Sequence, residues 1–176
     1  MSKNVLVIGT GTIGEPLIGL LADHKDSLGL DNVMFFKRTP LSDERGKVES
    51  LIRKGAKIVS TSDALKEFHQ LGFSDATDVE QAYDESDVII DCTPSGNDNW
   101  DNIYSSLDQK KRFMAQGSEH GFGSFFAWGI NNEILKEESN KFLVASCNTH
   151  NIASIVKTFA LDELSLIHIS EPTRRE

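Results

Sequence analysis

The chain has 176 residues, 39% hydrophobic and 26% charged, enough for one well-cored domain with little left for a second. Twenty-seven acidic against eighteen basic residues give a formal charge of −9, which argues against nucleic acid as the main partner and against docking on an anionic membrane. Two cysteines, Cys92 and Cys147, make no disulfide framework in a chain this size, and no segment approaches the run of about 18 apolar residues expected of a membrane span, so a cytoplasmic location is expected.

The apolar run in Asn4 to Ile8 reads as a buried parallel strand. Ile13 to Ala22 has helical spacing, and Pro16 is tolerated there because it falls in the first turn. Val33 to Lys37 predicts a second strand, and Ser42 to Lys54 a helix stopped by Gly55. Lys57 to Ser60 predicts a third strand, followed by a helix from Ala64 to Leu71 with Asp63 as its N-cap. A short helix over Val79 to Glu85 leads to the clearest strand signal, Val88 to Thr93. A helix around Trp100 to Leu107 and a strand near Arg112 to Gln116 come next. Gly117 to Gly129, rich in Gly, Ser and Phe, reads as an irregular loop, and Ile130 to Glu138 as helical. Phe142 to Ser146 is the last predicted strand, with helix from Asn148 onward. Strands alternating with helices imply an α/β fold, a doubly wound parallel sheet.

The last stretch stands apart. Leu164 to Arg174, reading L-S-L-I-H-I-S-E-P-T-R, looks like a translated transposase adapter from a sequencing library, and Arg175 and Glu176 continue it. His168 is therefore not recruited to any site, and the gene product is expected to continue beyond Glu163.

Between the first strand and the first helix lies Gly9-Thr10-Gly11-Thr12-Ile13-Gly14. A GxGxxG alone is unspecific, but the strand before it and the helix after it are the context of a Rossmann-type dinucleotide loop. The first glycine permits the tight turn, the second lets backbone approach a pyrophosphate, and the third permits close packing of helix on strand. Domains that prefer NAD often carry an acid about 20 residues past this loop, on the ribose hydroxyls. Here the corresponding stretch is Phe36-Lys37-Arg38-Thr39-Pro40. Two cations and a hydroxyl suit a 2′-phosphate, so NADP is favoured, and dual use with NAD also fits.

Ser146-Cys147-Asn148-Thr149 places a cysteine between a strand and a helix, where the helix N-terminus favours a thiolate and backbone donors can hold a developing oxyanion. Cys92, inside V-I-I-D-C-T, reads instead as a small buried hydrophobe. No metal-ligand set is read from the sequence.

Taken together, G-T-G-T-I-G, K-R-T-P, D-C-T-P-S-G (Asp91 to Gly96), A-Q-G-S-E (Ala115 to Glu119) and S-C-N-T resemble archaeal-type, phosphorylating glyceraldehyde-3-phosphate dehydrogenase, in order and spacing across residues 3 to 160. The resemblance implies that Cys147 attacks the aldehyde to give a hemithioacetal, that hydride passes to the nicotinamide, and that inorganic phosphate cleaves the resulting thioester. It implies Gly9, Gly11, Thr12, Ile13 and Gly14 along the cofactor, and Lys37, Arg38 and Thr39 at the adenosine ribose phosphate. Thr93, Pro94 and Gly117 would lie near the nicotinamide half, and Ser146, Cys147, Asn148 and Thr149 would contact substrate. The partners it implies are an aldehyde phosphate and inorganic phosphate, with a homotetramer for the full-length protein. Residues 1–145 would form the dinucleotide-binding domain, and 146–163 the start of a catalytic domain that holds the catalytic histidine further on.

Two departures bear on recognition of the substrate phosphate. Where the family often has Q-G-G-E-K this chain has Gln116-Gly117-Ser118-Glu119-His120, and His150 replaces a second threonine after S-C-N-T. Neither histidine matches the family's catalytic one, and both read as surface or structural residues. Two other readings stay open: another thiol-dependent reductase of the semialdehyde or acyl-phosphate type, and a non-catalytic dinucleotide sensor.

Overall fold

The computed structural model describes residues 3–116, 119–136 and 138–162. Eight parallel strands form one sheet in the order β4-β3-β2-β1-β5-β6-β8-β7. They are β1 (Asn4–Ile8), β2 (Asn32–Phe36), β3 (Lys57–Ser60), β4 (Thr77–Asp78), β5 (Val88–Asp91), β6 (Arg112–Gln116), β7 (Ser124–Phe126) and β8 (Lys141–Val144). The helices are α1 (Gly14–Asp23), α2 (Arg45–Arg53), α3 (Ser62–Gln70), α4 (Val79–Glu85), α5 (Gly96–Asn102) and α6 (Cys147–Val156), the last continuing as a π turn over Lys157–Asp162. Among the described residues no helix is long and apolar enough to cross a membrane.

The apolar run of β1 is buried along its whole length because both faces of the sheet are covered. Val5 and Val7 pack with Ile18 of α1, Val48 and Leu51 of α2, and Phe68 of α3. Leu6 and Ile8 pack on the other face with Val79, Ala82 and Tyr83 of α4, and with Tyr104, Phe113 and Phe122. From β1 the chain winds outward through β2, β3 and β4, then returns to place β5 on the other side of β1. Connections therefore leave β1 and β5 in opposite directions, which opens a crevice above their carboxyl ends.

β1, β3, α4 and β6 occupy the residues their patterns predict. Other elements differ, each for a physical reason. The segment read as one helix from Ser42 begins as a 3-10 turn, Ser42–Glu44, and becomes α-helical at Arg45, ending before Gly55, whose φ of 98° confirms the stop. α3 starts at Ser62 after Thr61, so Asp63 lies in the first turn and is not the cap. Strand β5 stops at Asp91, because that carboxylate accepts from the Thr93 amide and bends the chain away. α5 begins at Gly96, ahead of the predicted Trp100, and a 3-10 turn over Tyr104–Ser106 takes the place of its second half. The loop over 117–129 contains β7, and the helix expected at Ile130 is only a 3-10 turn, Asn132–Lys136. Residues 164–176 lie outside the described residues.

Candidate functional site

The crevice over β1 and β5 is a cavity of about 600 Å³. The glycine loop forms one wall, with Ile8, Gly9 and Thr10 lining it. The end of β2 supplies Phe36, Lys37, Arg38 and Thr39, while Thr93, Ser95, Asp98 and Asn99 close the side of β5 and α5. Gly9 and Gly14 of the loop answer different geometric demands. Gly9 has φ 96°, in the region an L side chain avoids, and a Cβ there would meet Thr93 Cγ2 at 3.0 Å. At Gly14 a Cβ would stand 1.9 Å from the Gly9 carbonyl oxygen and 3.3 Å from Cys92 Cβ. That glycine lets α1 sit directly on the turn. At Gly11 an added Cβ would find nothing within 4 Å, and Gly11, Thr12 and Ile13 are exposed. The backbone there is open to a ligand. Among the described residues no side chain caps the N-terminus of α1; the Glu15 amide is taken by the Gly11 carbonyl at 3.0 Å and Pro16 has none, which leaves the Gly14 amide for an anion.

At the end of β2, Lys37 is held firmly. Its amide donates to the Val59 carbonyl at 3.0 Å, and its carbonyl accepts from Ser60 Oγ at 2.7 Å. Lys37 is only 9% exposed, and its ammonium donates to Glu44 Oε2. The hydrogen bond from Lys37 outweighs the effect of burial and lowers the Glu44 pKa below its ordinary value. Arg38 and Thr39 are exposed at the cavity rim, and the Arg38 charge reaches Tyr83 of the opposite wall. Burial, then the Glu80 and Asp91 charges, push the Tyr83 hydroxyl up to about 12, so it is a neutral phenol at physiological pH.

Asp91 anchors the crevice from below, a role that its place in the sequence motif does not reveal. Its buried carboxylate accepts from the Thr93 amide (2.8 Å), Thr93 Oγ1 (2.6 Å), Asn99 Nδ2 (2.7 Å) and the Tyr104 hydroxyl (2.7 Å). Burial and this carboxylate raise the Tyr104 pKa, keeping the hydroxyl a donor. Because the Thr93 hydroxyl points down to Asp91, the Thr93 methyl is what faces Gly9. Pro94, next along, is exposed. The signal in the sequence is an acid closing an otherwise apolar strand, with a threonine two residues later. Glu119 plays a comparable supporting part. Buried at 8% exposure, it accepts from the Asn97 amide at 2.9 Å and so caps α5 from 22 positions away. Gly117, expected near the nicotinamide, lies outside the described residues.

Cys147 is the first residue of α6 and is exposed. Ser146 caps the helix, its Oγ accepting from the Thr149 amide at 3.3 Å and lying 2.9 Å from Thr149 Oγ1. Asn148 is exposed beside them. His150 is turned away, its Nε2 3.0 Å from the Trp128 carbonyl oxygen. Cys147 does not line the cavity. It stands on the same edge of the sheet, after the carboxyl end of β8, three strands from β1 or about 14 Å across. Cys92 is its opposite: buried against Gly14, with its thiol pushed up to about 11 by desolvation and then by Asp91. It is inert packing.

Fold and crevice define the class: an α/β unit of the Rossmann type, with its open site at the topological switch point. No protein-family model matches the chain. Curated proteins named glyceraldehyde-3-phosphate dehydrogenase do. That of Pyrobaculum calidifontis is 26% identical over 163 residues, covering 91% of this chain and 45% of its own length. That of Sulfolobus acidocaldarius is 28% identical over 156 residues (88% and 43%), and that of Picrophilus torridus 30% identical over 174 residues (94% and 48%). The chain is thus homologous to archaeal glyceraldehyde-3-phosphate dehydrogenases and spans about half the length of these relatives. A solved glucose dehydrogenase from Haloferax mediterranei, in complex with NADP, Zn and gluconolactone, is similar at a TM-score of 0.47 and 18% identity, over 89% of this chain and 41% of that one.

Proposed function

We propose that this chain is the dinucleotide-binding part of an NAD(P)-dependent oxidoreductase that oxidises glyceraldehyde 3-phosphate to the acyl phosphate, with inorganic phosphate as second substrate. The observation that carries the reading is the juxtaposition, on one sheet edge, of the open glycine crevice and an exposed helix-start cysteine. Homology with archaeal proteins of that name supports it.

The residues present fit a dinucleotide. Gly11 leaves an open cradle, the Gly14 amide at the start of α1 has no side-chain cap, and Arg38 and Thr39 stand exposed where an adenosine ribose phosphate would lie. NADP is the preferred partner on this ground, with NAD also accommodated. Bound there, the nicotinamide supplies the hydride acceptor. Cys147 Sγ attacks the aldehyde carbon, and the oxygen that takes up charge is stabilised by amides at the start of α6. Ser146 fixes this helix start through its bond to Thr149. Loss of hydride leaves a thioester on Cys147, which phosphate oxygen attacks, freeing the thiolate and the acyl phosphate. The semialdehyde reductases and a non-catalytic sensor are the competing readings.

In the protein carrying the downstream sequence, NADP reduction is expected to require both glyceraldehyde 3-phosphate and inorganic phosphate. Cys147→Ser is expected to lower kcat by at least about a thousandfold with nucleotide affinity unchanged, as when a covalent nucleophile is removed. Absence of turnover with that aldehyde, or undiminished turnover in Cys147→Ser, would overturn the assignment. An acyl-phosphate or semialdehyde substrate of different carbon skeleton, used in its place, would establish the rival reductase.

A further inference from the structure

Among the described residues, Glu44 is the acid that touches the cation at the end of β2, and it belongs to no motif. It sits in the 3-10 turn before α2, seven residues beyond Lys37. One carboxylate oxygen takes the Lys37 ammonium, and the other lies 3.9 Å from Lys47 Nζ. Lys47 is itself held by Glu15 Oε2 of α1 at 3.0 Å. Two acids and two bases thus form a neutral chain of charge running from Lys37, which lines the crevice, back to α1. Lys37 is nearly buried and its backbone is pinned on both sides by β3, so its ammonium must keep a partner.

We propose that Glu44 is a specificity-determining residue of the crevice, holding Lys37 away from the phosphate of a phosphorylated adenosine ribose. The inference rests on the reading of the crevice as a dinucleotide site. A 2′-phosphate arriving at the end of β2 must compete with Glu44 for Lys37. Arg38 and Thr39 then carry the phosphate contact in the wild-type chain. Removing the Glu44 charge releases Lys37 for a charge-assisted bond to the phosphate. An unphosphorylated ribose does not compete for Lys37, so NAD is indifferent to the change.

The test is a titration of wild-type and Glu44→Gln chains with NADP and with NAD at one ionic strength. Glu44→Gln keeps an acceptor for the Lys37 ammonium, so the fold is retained. The Kd for NADP is expected to fall about tenfold, the value of one charge-assisted hydrogen bond, and that for NAD to move less than about twofold. An NADP affinity that is unchanged or weaker, or an equal gain for both nucleotides, overturns the proposal. The same comparison in a Lys37→Met background, where the pair is removed without leaving a buried cation, separates competition from repulsion. There the Glu44→Gln gain is expected to shrink below about twofold. A full gain without Lys37 shows simple repulsion and contradicts the mechanism. Binding of neither nucleotide by the folded wild-type chain defeats the dinucleotide reading itself, and the role of Glu44 with it.

Discussion

A Gly14→Ala chain is expected to lose about 3 kcal/mol of folding stability and its nucleotide binding together, the upper range for forcing a methyl into packed structure. The added Cβ would meet backbone, 1.9 Å from the Gly9 carbonyl oxygen and 2.9 Å from its carbon, so no side-chain rotation relieves the contact. Helix α1 must withdraw from the β1 turn. That opens the loop, breaks the Glu15 amide's bond to the Gly11 carbonyl and loosens Ile18, which is fully buried against β1. Urea unfolding measures the stability and nucleotide titration the binding. An unchanged unfolding midpoint would show that the turn is looser than its geometry states.

Asp91→Ala is the second large effect, expected at about 4 kcal/mol of stability, because deletion strands buried donors and leaves a hole. Four donors converge on this carboxylate, and the Tyr104 hydroxyl among them belongs to a residue only 1% exposed. Asp91→Asn keeps the volume and one acceptor oxygen but turns an amide toward donors, so it is expected to cost about half as much. Thr93 loses its anchor in Asp91→Ala, and with it the fixed contact against Gly9. A loss below about 1 kcal/mol for Asp91→Ala in urea would mean that water replaces the carboxylate without penalty.

Local pattern was enough wherever an element's cause is local. The V-L-V-I run of β1 is apolar on every position because both sheet faces are covered, and Gly55 stops α2 by its own conformation. Gly9 and Gly14 of the loop were legible because each answers a separate steric demand visible in the spacing. What escaped depends on partners far along the chain. α5 starts at Gly96 because Glu119 caps it from a different loop, and β7 exists because β8, which follows it, offers an edge to Ser124–Phe126. β4 has only two residues and is set by its register with Val59 and Ser60.

The site shows the same division. Lys37 and Arg38 read alike as two adjacent cations, yet one is buried and bonded to Glu44 while the other is exposed. Their difference lies in the bonds that tie Lys37 to β3 and in the turn that brings Glu44 back, neither of which charge spacing reveals. Asp91 opens the D-C-T-P-S-G motif, and only its four converging donors explain why an acid belongs at the end of a buried strand.

On the proposed function, a nicotinamide dinucleotide crosses the loop at Gly11. That residue offers a clean test, since its backbone is not left-handed and an added Cβ meets nothing within 4 Å. Gly11→Ala is therefore neutral for the free chain, and any loss of binding reports how closely the ligand passes. Calorimetric titration of wild-type and Gly11→Ala chains with NADP is expected to give one saturable site in the first. In the second, affinity should fall by at least about tenfold at an unchanged unfolding midpoint, as a steric penalty of about 1.4 kcal/mol or more requires. Undiminished binding in Gly11→Ala, or no saturable binding by the folded wild-type chain, would contradict it.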